Sequence, residues 1–208
     1  MNLTPIEPER LAGVLQAFAR HFAGDPPAAA ALARIAAHAG ARPEEYDLPE
    51  HRAAALDLVR AFGIASIDEC PADAFSWDGR AIRTRSEASV LIHEVAHWLV
   101  APPERRGLPD FGLGAGPETG RVAEAEAARC VGQAEKEREE LLSSLLGILW
   151  EAELGQPAIF SFVEQNWLET WERPAAGEQF ARTLHALLRL GLVGADGRPV
   201  PAGVVFSA

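Results

Sequence analysis

Residues 84–103 read TRSEASVLIHEVAHWLVAPP, and this stretch carries the strongest structural signal in the chain. Val90, Leu91, Ile92, Val95, Ala96 and Leu99 recur at helical spacing and leave little polar surface, the pattern of a helix buried on most sides. Thr84 with Glu87 three positions on is a capping-box pattern, and Pro102 with Pro103 stops a helix, so the sequence predicts a helix from about Thr84 to Val100. Inside it stands His93-Glu94-Val95-Ala96-His97. Residues four apart lie one turn above each other on one face, so the two imidazoles reach the same point in space. In a chain of this composition an HExxH arrangement arises by chance roughly 0.02 times. Two unpaired imidazoles in so apolar a helix are costly to desolvate, and a divalent metal ion relieves that cost.

Upstream of this helix the texture suggests short strands. Ile64-Ala65-Ser66-Ile67 and Ala81-Ile82-Arg83-Thr84 flank turn residues at Cys70-Pro71 and Asp78-Gly79. The N-terminal third is alanine-rich and predicts three short helices through about Phe62, broken by Gly24-Asp25-Pro26-Pro27 and Gly40-Ala41-Arg42-Pro43. Leu11, Val14, Leu15, Phe18 and Phe22 supply an apolar stripe for packing. Downstream, a Gly- and Pro-rich loop over 101–120 leads to one long predicted helix over about 121–154, stopped by Gly155 and Pro157. Two more helices are expected over about 159–171 and 177–190. The fold class expected is α+β, predominantly helical with a small sheet, with a helical N-terminal region (1–62) packed on a metal-binding catalytic domain (63–208).

An open catalytic metal site uses three protein ligands, so a third donor is required. The residues after His97, Trp98-Leu99-Val100-Ala101-Pro102-Pro103, hold no third histidine, which leaves a carboxylate from another helix. At about 100° per residue, Ala128, Val131, Leu142, Leu146 and Leu149 fall within about 40° of Glu135, setting that acid inside the apolar stripe of the long helix. A carboxylate facing a core is costly unless paired or metal-bound, so Glu135 is the preferred third ligand, with Glu124 and Glu139 near the same face as alternatives. A buried ion pair with Arg83 or Arg105 would equally explain Glu135. Glu94 is the candidate to orient water or move a proton, and Arg105 and Asp110 are the further candidate catalytic residues, with Arg106 beside them on the pocket wall; a salt-bridged loop anchor explains these three equally.

Composition removes other classes. The 208 residues carry 30 acidic and 19 basic side chains, a net charge of −11, which opposes generic binding to phosphate backbones. With 48% hydrophobic and 24% charged residues the chain is of ordinary globular type rather than disordered. The uncharged run Leu141 to Trp150 is far short of the ~20 residues that span a bilayer, and the first ten residues, MNLTPIEPER, do not have the form of a secretory signal. A cytoplasmic location is expected. Cys70 and Cys130 form no CxxC pattern and are expected as free thiols. Trp167 and Trp171 are core or docking residues, His185 sits on an apolar side as a core histidine, and His21, His38 and His51 have no partner pattern.

HEVAHW at 93–98, followed by Glu104-Arg105-Arg106 and Asp110-Phe111-Gly112, resembles the elongation factor P hydroxylase family. The similarity extends through 117–121, the acidic long helix, Asn166-Trp167-Leu168-Glu169 and Phe180-Ala181-Arg182-Thr183-Leu184-His185, roughly residues 81–201. The resemblance implies a non-haem iron protein that hydroxylates a modified lysine of elongation factor P. It implies a two-histidine, one-carboxylate site with His93 and His97 as ligands, and a mixed α and β fold like that of a metal-dependent bacterial ribonuclease of zincin-like type. Fe(II) is the favoured ion and Zn(II) the alternative, since imidazole and carboxylate bind either. Two departures bear on substrate: Leu113-Gly114-Ala115-Gly116 stands where the family has an aromatic cluster, and Leu99 where it has cysteine. The competing expectations are a zinc hydrolase in which Glu94 deprotonates bound water, and a non-catalytic binding domain with a structural metal.

Overall fold

The computed structural model describes residues 6–73, 75–116 and 119–205. Met1 to Pro5 of the N-terminal decapeptide, and Pro117 and Glu118 of the 117–121 element, lie outside the described residues. The chain divides into two compact units, Asp47–Gly147 and a second made of Met1–Tyr46 with Ile148–Ala208. The described elements are mainly helical with one small parallel sheet, in keeping with the α+β class expected.

The unit Asp47–Gly147 begins with α3 (Pro49–Ala61), which the sequence grouped with the N-terminal region but which packs along α4 (Ala88–Val100). Ala55, Leu58 and Val59 of α3 are buried, as are Leu91, Ile92, Val95, Ala96 and Leu99 of α4. Strands β1 (Ser66–Ile67) and β2 (Ile82–Arg83) pair in parallel, with Ser66 opposite Ile82. Thr84 extends this sheet: its N–H donates to the Ile67 carbonyl at 3.0 Å, and its hydroxyl reaches the same oxygen at 3.3 Å.

Thr84 therefore does not cap α4, which starts four residues later than predicted. Its first amide, at Ala88, donates to Asp47 Oδ1 at 2.7 Å, so the cap comes from a residue distant in sequence. The predicted long helix is two helices, α5 (Val122–Ala128) and α6 (Gln133–Glu153), separated by Arg129-Cys130-Val131-Gly132. The break is held in place by the Cys130 N–H, which donates to the Gly112 carbonyl at 2.9 Å.

In the second unit, α1 (Pro8–Ala19), α2 (Pro26–Ala36), α7 (Ile159–Glu164), α8 (Pro174–Arg189) and α9 (Ala202–Val205) join the end of α6. Phe18, Phe22, Phe162, Trp167 and Phe180 form an aromatic core, with Phe18 and Phe22 edge to face at 5.1 Å and Phe162 stacked on Trp167 at 6.2 Å. Trp167 is thus core. The helix predicted over 159–171 stops at Glu164, where Asn166 and Thr170 take left-handed backbone angles. His185 is not a core residue; its ring is half-exposed and its Nε2 pairs with Asp25 Oδ2 at 2.7 Å, while Asp25 also caps α2 through the Ala28 amide. No described helix is long and apolar enough to cross a membrane.

Candidate metal centre

His93 and His97 point their Nε2 atoms at one place from consecutive turns of α4. The two nitrogens are 3.0 Å apart and the rings meet edge to face, 84° between planes. The third group there is Glu140 of α6, whose Oε2 lies 3.3 Å from His97 Nε2 and 3.8 Å from His93 Nε2. Among the described residues, these three form the cluster whose donor atoms can share one metal ion.

Glu140 arrives there because α6 packs very closely on α4. A methyl group at Gly147 would sit 3.4 Å from the Cα of His93 and 3.9 Å from the Cβ of Ala96, so two small residues let the backbones approach. Gly147 lies opposite His93 and Glu140 opposite His97, so the helices run antiparallel. Glu140, Ser143, Ser144 and Gly147 share one face of α6 by helical spacing. Gly147→Val therefore pushes α6 away from α4. Metal affinity is expected to fall by about tenfold or more, the scale of effect when ligand orientation is lost. Competition of Co(II) against a chelator measures it, and unchanged affinity would show that this contact does not set the position of Glu140.

The other acids named from the sequence lie elsewhere. Glu135 is exposed in the first turn of α6 and is not one of the three converging donors. Its helical phase is that of Leu142, Leu146 and Leu149, but it stands about 10 Å along the axis before Leu142, beyond the end of the apolar contact. Glu124, exposed on α5, accepts from Arg121 Nε at 2.6 Å. Glu139 occupies the apolar face and is only 6% exposed, paired with the buried Arg105. The buried ion pair foreseen for Glu135 is thus made by Glu139. Glu94 is half-buried on α4 beside His93.

Arg105 and Asp110 both act on the turn Pro109–Gly112. Arg105 Nη1 donates to the Phe111 carbonyl at 2.9 Å. Asp110 donates its N–H to Trp77 O at 2.8 Å, and its Oδ2 accepts from the Thr119 hydroxyl at 2.6 Å. Asp110, Phe111 and Gly112 all have left-handed backbone angles, with φ of 42°, 54° and 70°. For two non-glycine residues this costs on the order of 1–3 kcal/mol each, held by the surrounding contacts. The turn lays the Phe111 ring flat on His97, 5.6 Å between centroids and 17° between planes, and Trp77 stacks on Phe111 at 5.3 Å, 1° between planes. The Arg106 guanidinium lies 4.1 Å from the centroid of the Trp98 ring.

The electrostatics follow from these contacts. Burial lowers the proton affinity of His93, and the neighbouring His97 lowers it further. Burial opposes charge on His97 as well, but hydrogen bonding and attraction to Glu140, with Glu94 and Glu139 behind, raise it above the usual imidazole range. Burial would raise Glu140, yet its contacts with both imidazoles outweigh this and hold it well below the ordinary carboxylate range. Burial raises Asp110 despite the bond from Thr119.

The donor set suits a divalent ion. For metal–ligand bonds of about 2.1 Å, neighbouring donors are about 3.0 Å apart on an octahedron and about 3.4 Å apart on a tetrahedron. The three observed separations, 3.0, 3.3 and 3.8 Å, bracket these values. Two imidazoles and one carboxylate leave further positions for small molecules, as in facial-triad iron sites and in catalytic zinc sites alike.

No curated protein and no solved structure matches the chain. The sequence model of the elongation factor P hydroxylase family (EpmC) matches residues 70–136. That is about one third of the chain, shorter than the 81–201 resemblance expected, and the Asn166–Glu169 and Phe180–His185 elements lie outside it. The matched segment carries His93, His97, Arg105 and the Asp110-Phe111-Gly112 turn, and it ends four residues before Glu140; over that segment the chain is similar to the elongation factor P hydroxylases.

Proposed function

We propose that the chain is a metal-dependent hydroxylase that acts on a modified lysine of elongation factor P or a similar protein, with His93, His97 and Glu140 holding Fe(II) in a zincin-like arrangement. The observation that carries this reading is the convergence of two Nε2 atoms and one carboxylate oxygen within 3.8 Å of one another, inside or next to the segment similar to the hydroxylase family. A ferrous ion so held supplies the redox chemistry that dioxygen needs and that no amino-acid side chain provides. The chain's own residues do the rest. Glu140 and the two imidazoles would hold the ion, three protein donors being fewer than such an ion binds. Glu94, one residue from a ligand and half-buried, is the group to hold a proton on its carboxylate and pass it on. Phe111 covers His97, with Trp77 stacked on Phe111 in turn, and this keeps the buried imidazole out of water. The partly exposed Glu140 and Glu94 give a cationic lysine side chain an acidic approach, though the aromatic faces expected after Asp110-Phe111-Gly112 are replaced by Leu113-Gly114-Ala115-Gly116. A translation-factor substrate would set the activity in the cytoplasm.

A zinc hydrolase would use the same donors, with Glu94 as general base. Protein reconstituted anaerobically with Fe(II) and then given dioxygen and lysine-modified elongation factor P is expected to add one oxygen atom to the substrate, read by mass spectrometry. Turnover that is hydrolytic and indifferent to dioxygen would replace the hydroxylase by the zinc enzyme. A site that takes up a metal yet turns nothing over would favour a binding domain.

A further inference from the structure

We infer that Arg105 is the positioning residue of the metal centre, holding both the third ligand and the orientation of His97 through a single buried guanidinium. The inference rests on the metal-site reading above and deepens it. Arg105 is 7% exposed and uses its two terminal nitrogens for two tasks. Nη2 is paired with Oε2 of Glu139, the residue immediately before Glu140, which fixes the rotation of α6 about its axis at the height of the site. Nη1 donates to the Phe111 carbonyl and so holds the left-handed turn that stacks the Phe111 ring on His97.

Two orphaned atoms point the same way. His97 Nδ1 is buried and has no hydrogen-bond partner among the described residues, so none of them supplies the outer hydrogen bond that usually orients a metal-binding imidazole. The ring is oriented instead by the flat face of Phe111 on one side and the His93 ring on another. Glu139 Oε1 is likewise buried without a hydrogen-bond partner among the described residues, and the salt bridge to this acid comes from Arg105. A lysine in place of Arg105 can pair with Glu139 but lacks the planar fork that reaches the Phe111 carbonyl at the same time.

The test uses the full chain and Co(II) as probe, with affinity from chelator competition and the visible ligand-field spectrum as a report on ligand geometry. Removing Arg105 alone strands the buried Glu139, so the informative variant is the double replacement Arg105→Met with Glu139→Leu, which removes the pair together. This variant is expected to keep its cooperative melt while losing 10- to 100-fold in Co(II) affinity and changing its spectrum. Arg105→Lys is expected to recover part of the affinity, because the pair to Glu139 returns. Phe111→Leu keeps the ion pair and removes only the ring, and it should alter the spectrum with a smaller loss of affinity. If the double variant does not fold, Phe111→Leu decides: a parental spectrum overturns the inference. A folded double variant with parental affinity and spectrum overturns it equally. A parent chain that takes up no Co(II) overturns the metal-site reading itself, and this inference with it.

Discussion

Glu140→Ala lowers the affinity for Fe(II) or Co(II) by on the order of 100-fold or more, while Glu135→Ala leaves it within about twofold of the parent. The expectation comes from position alone. Glu140 Oε2 is 3.3 Å from His97 Nε2 and belongs to the converging set, whereas Glu135 stands exposed in the first turn of α6. Loss of an outer-shell partner costs 10- to 100-fold in metal affinity, so if Glu140 is one of three direct donors, as proposed, its loss is expected to cost at least the upper end of that range. Glu140→Gln keeps the shape and an oxygen but removes the charge, and should fall between. The side chain is about 40% exposed, so its removal leaves little stranded in the core and the fold should survive. Titration of the metal-free protein with Co(II) against a competing chelator gives the numbers. Equal affinities for the two alanine variants would remove Glu140 from the site.

The contrast between the two acids shows what a single sequence makes visible. The histidine pair was legible because α4 is regular, and a fixed spacing on a regular helix is a fixed geometry. The three N-terminal helices were legible because Pro and Gly mark their ends. The third member of the converging set, Glu140, was not, for two physical reasons. An apolar stripe reports which side of a helix faces the core but not how far along the axis the core extends, so Glu135 had the right phase at the wrong height. The face that meets the site is not apolar at all. It is made of Ser143, Ser144 and Gly147, and the signal was smallness: a glycine two turns beyond Glu140 that lets one backbone lie against another. The break between α5 and α6 was invisible for a related reason, since it depends on a hydrogen bond between Cys130 and Gly112, residues on different segments. The cap of α4 by Asp47 is the same kind of long-range fact.

Glu151→Gln raises stability at neutral pH and does so in a pH-dependent way. Glu151 lies near the end of α6 in the other compact unit, 2% exposed, and its Oε2 accepts one hydrogen bond from the Ser161 hydroxyl at 2.9 Å. Burial pushes its carboxyl up to about 8, the Ser161 bond opposes this only partly, and the charge of Glu164 adds to it. The folded chain therefore keeps this proton where the unfolded chain has lost it. Since the folded value lies above the unfolded one of 4.5, stability is greatest below the unfolded value and declines as pH rises towards about 8, where the carboxylate must ionise inside the core. Each unit of separation is worth about 1.4 kcal/mol, so by pH 7.5 the parent has lost at most about 4 kcal/mol through this one group. Glutamine has nearly the same shape, still accepts from Ser161 and carries no charge at any pH. The difference in stability between variant and parent should accordingly be near zero at about pH 4.5 and grow steadily with pH. At about 2–4 °C per kcal/mol it should reach roughly 10 °C in Tm near pH 7.5. Paired melts across this range isolate the effect, because every other titrating group is common to both chains. A difference that stays flat with pH would mean that Glu151 is already ionised in the folded protein at neutral pH, held by partners other than Ser161.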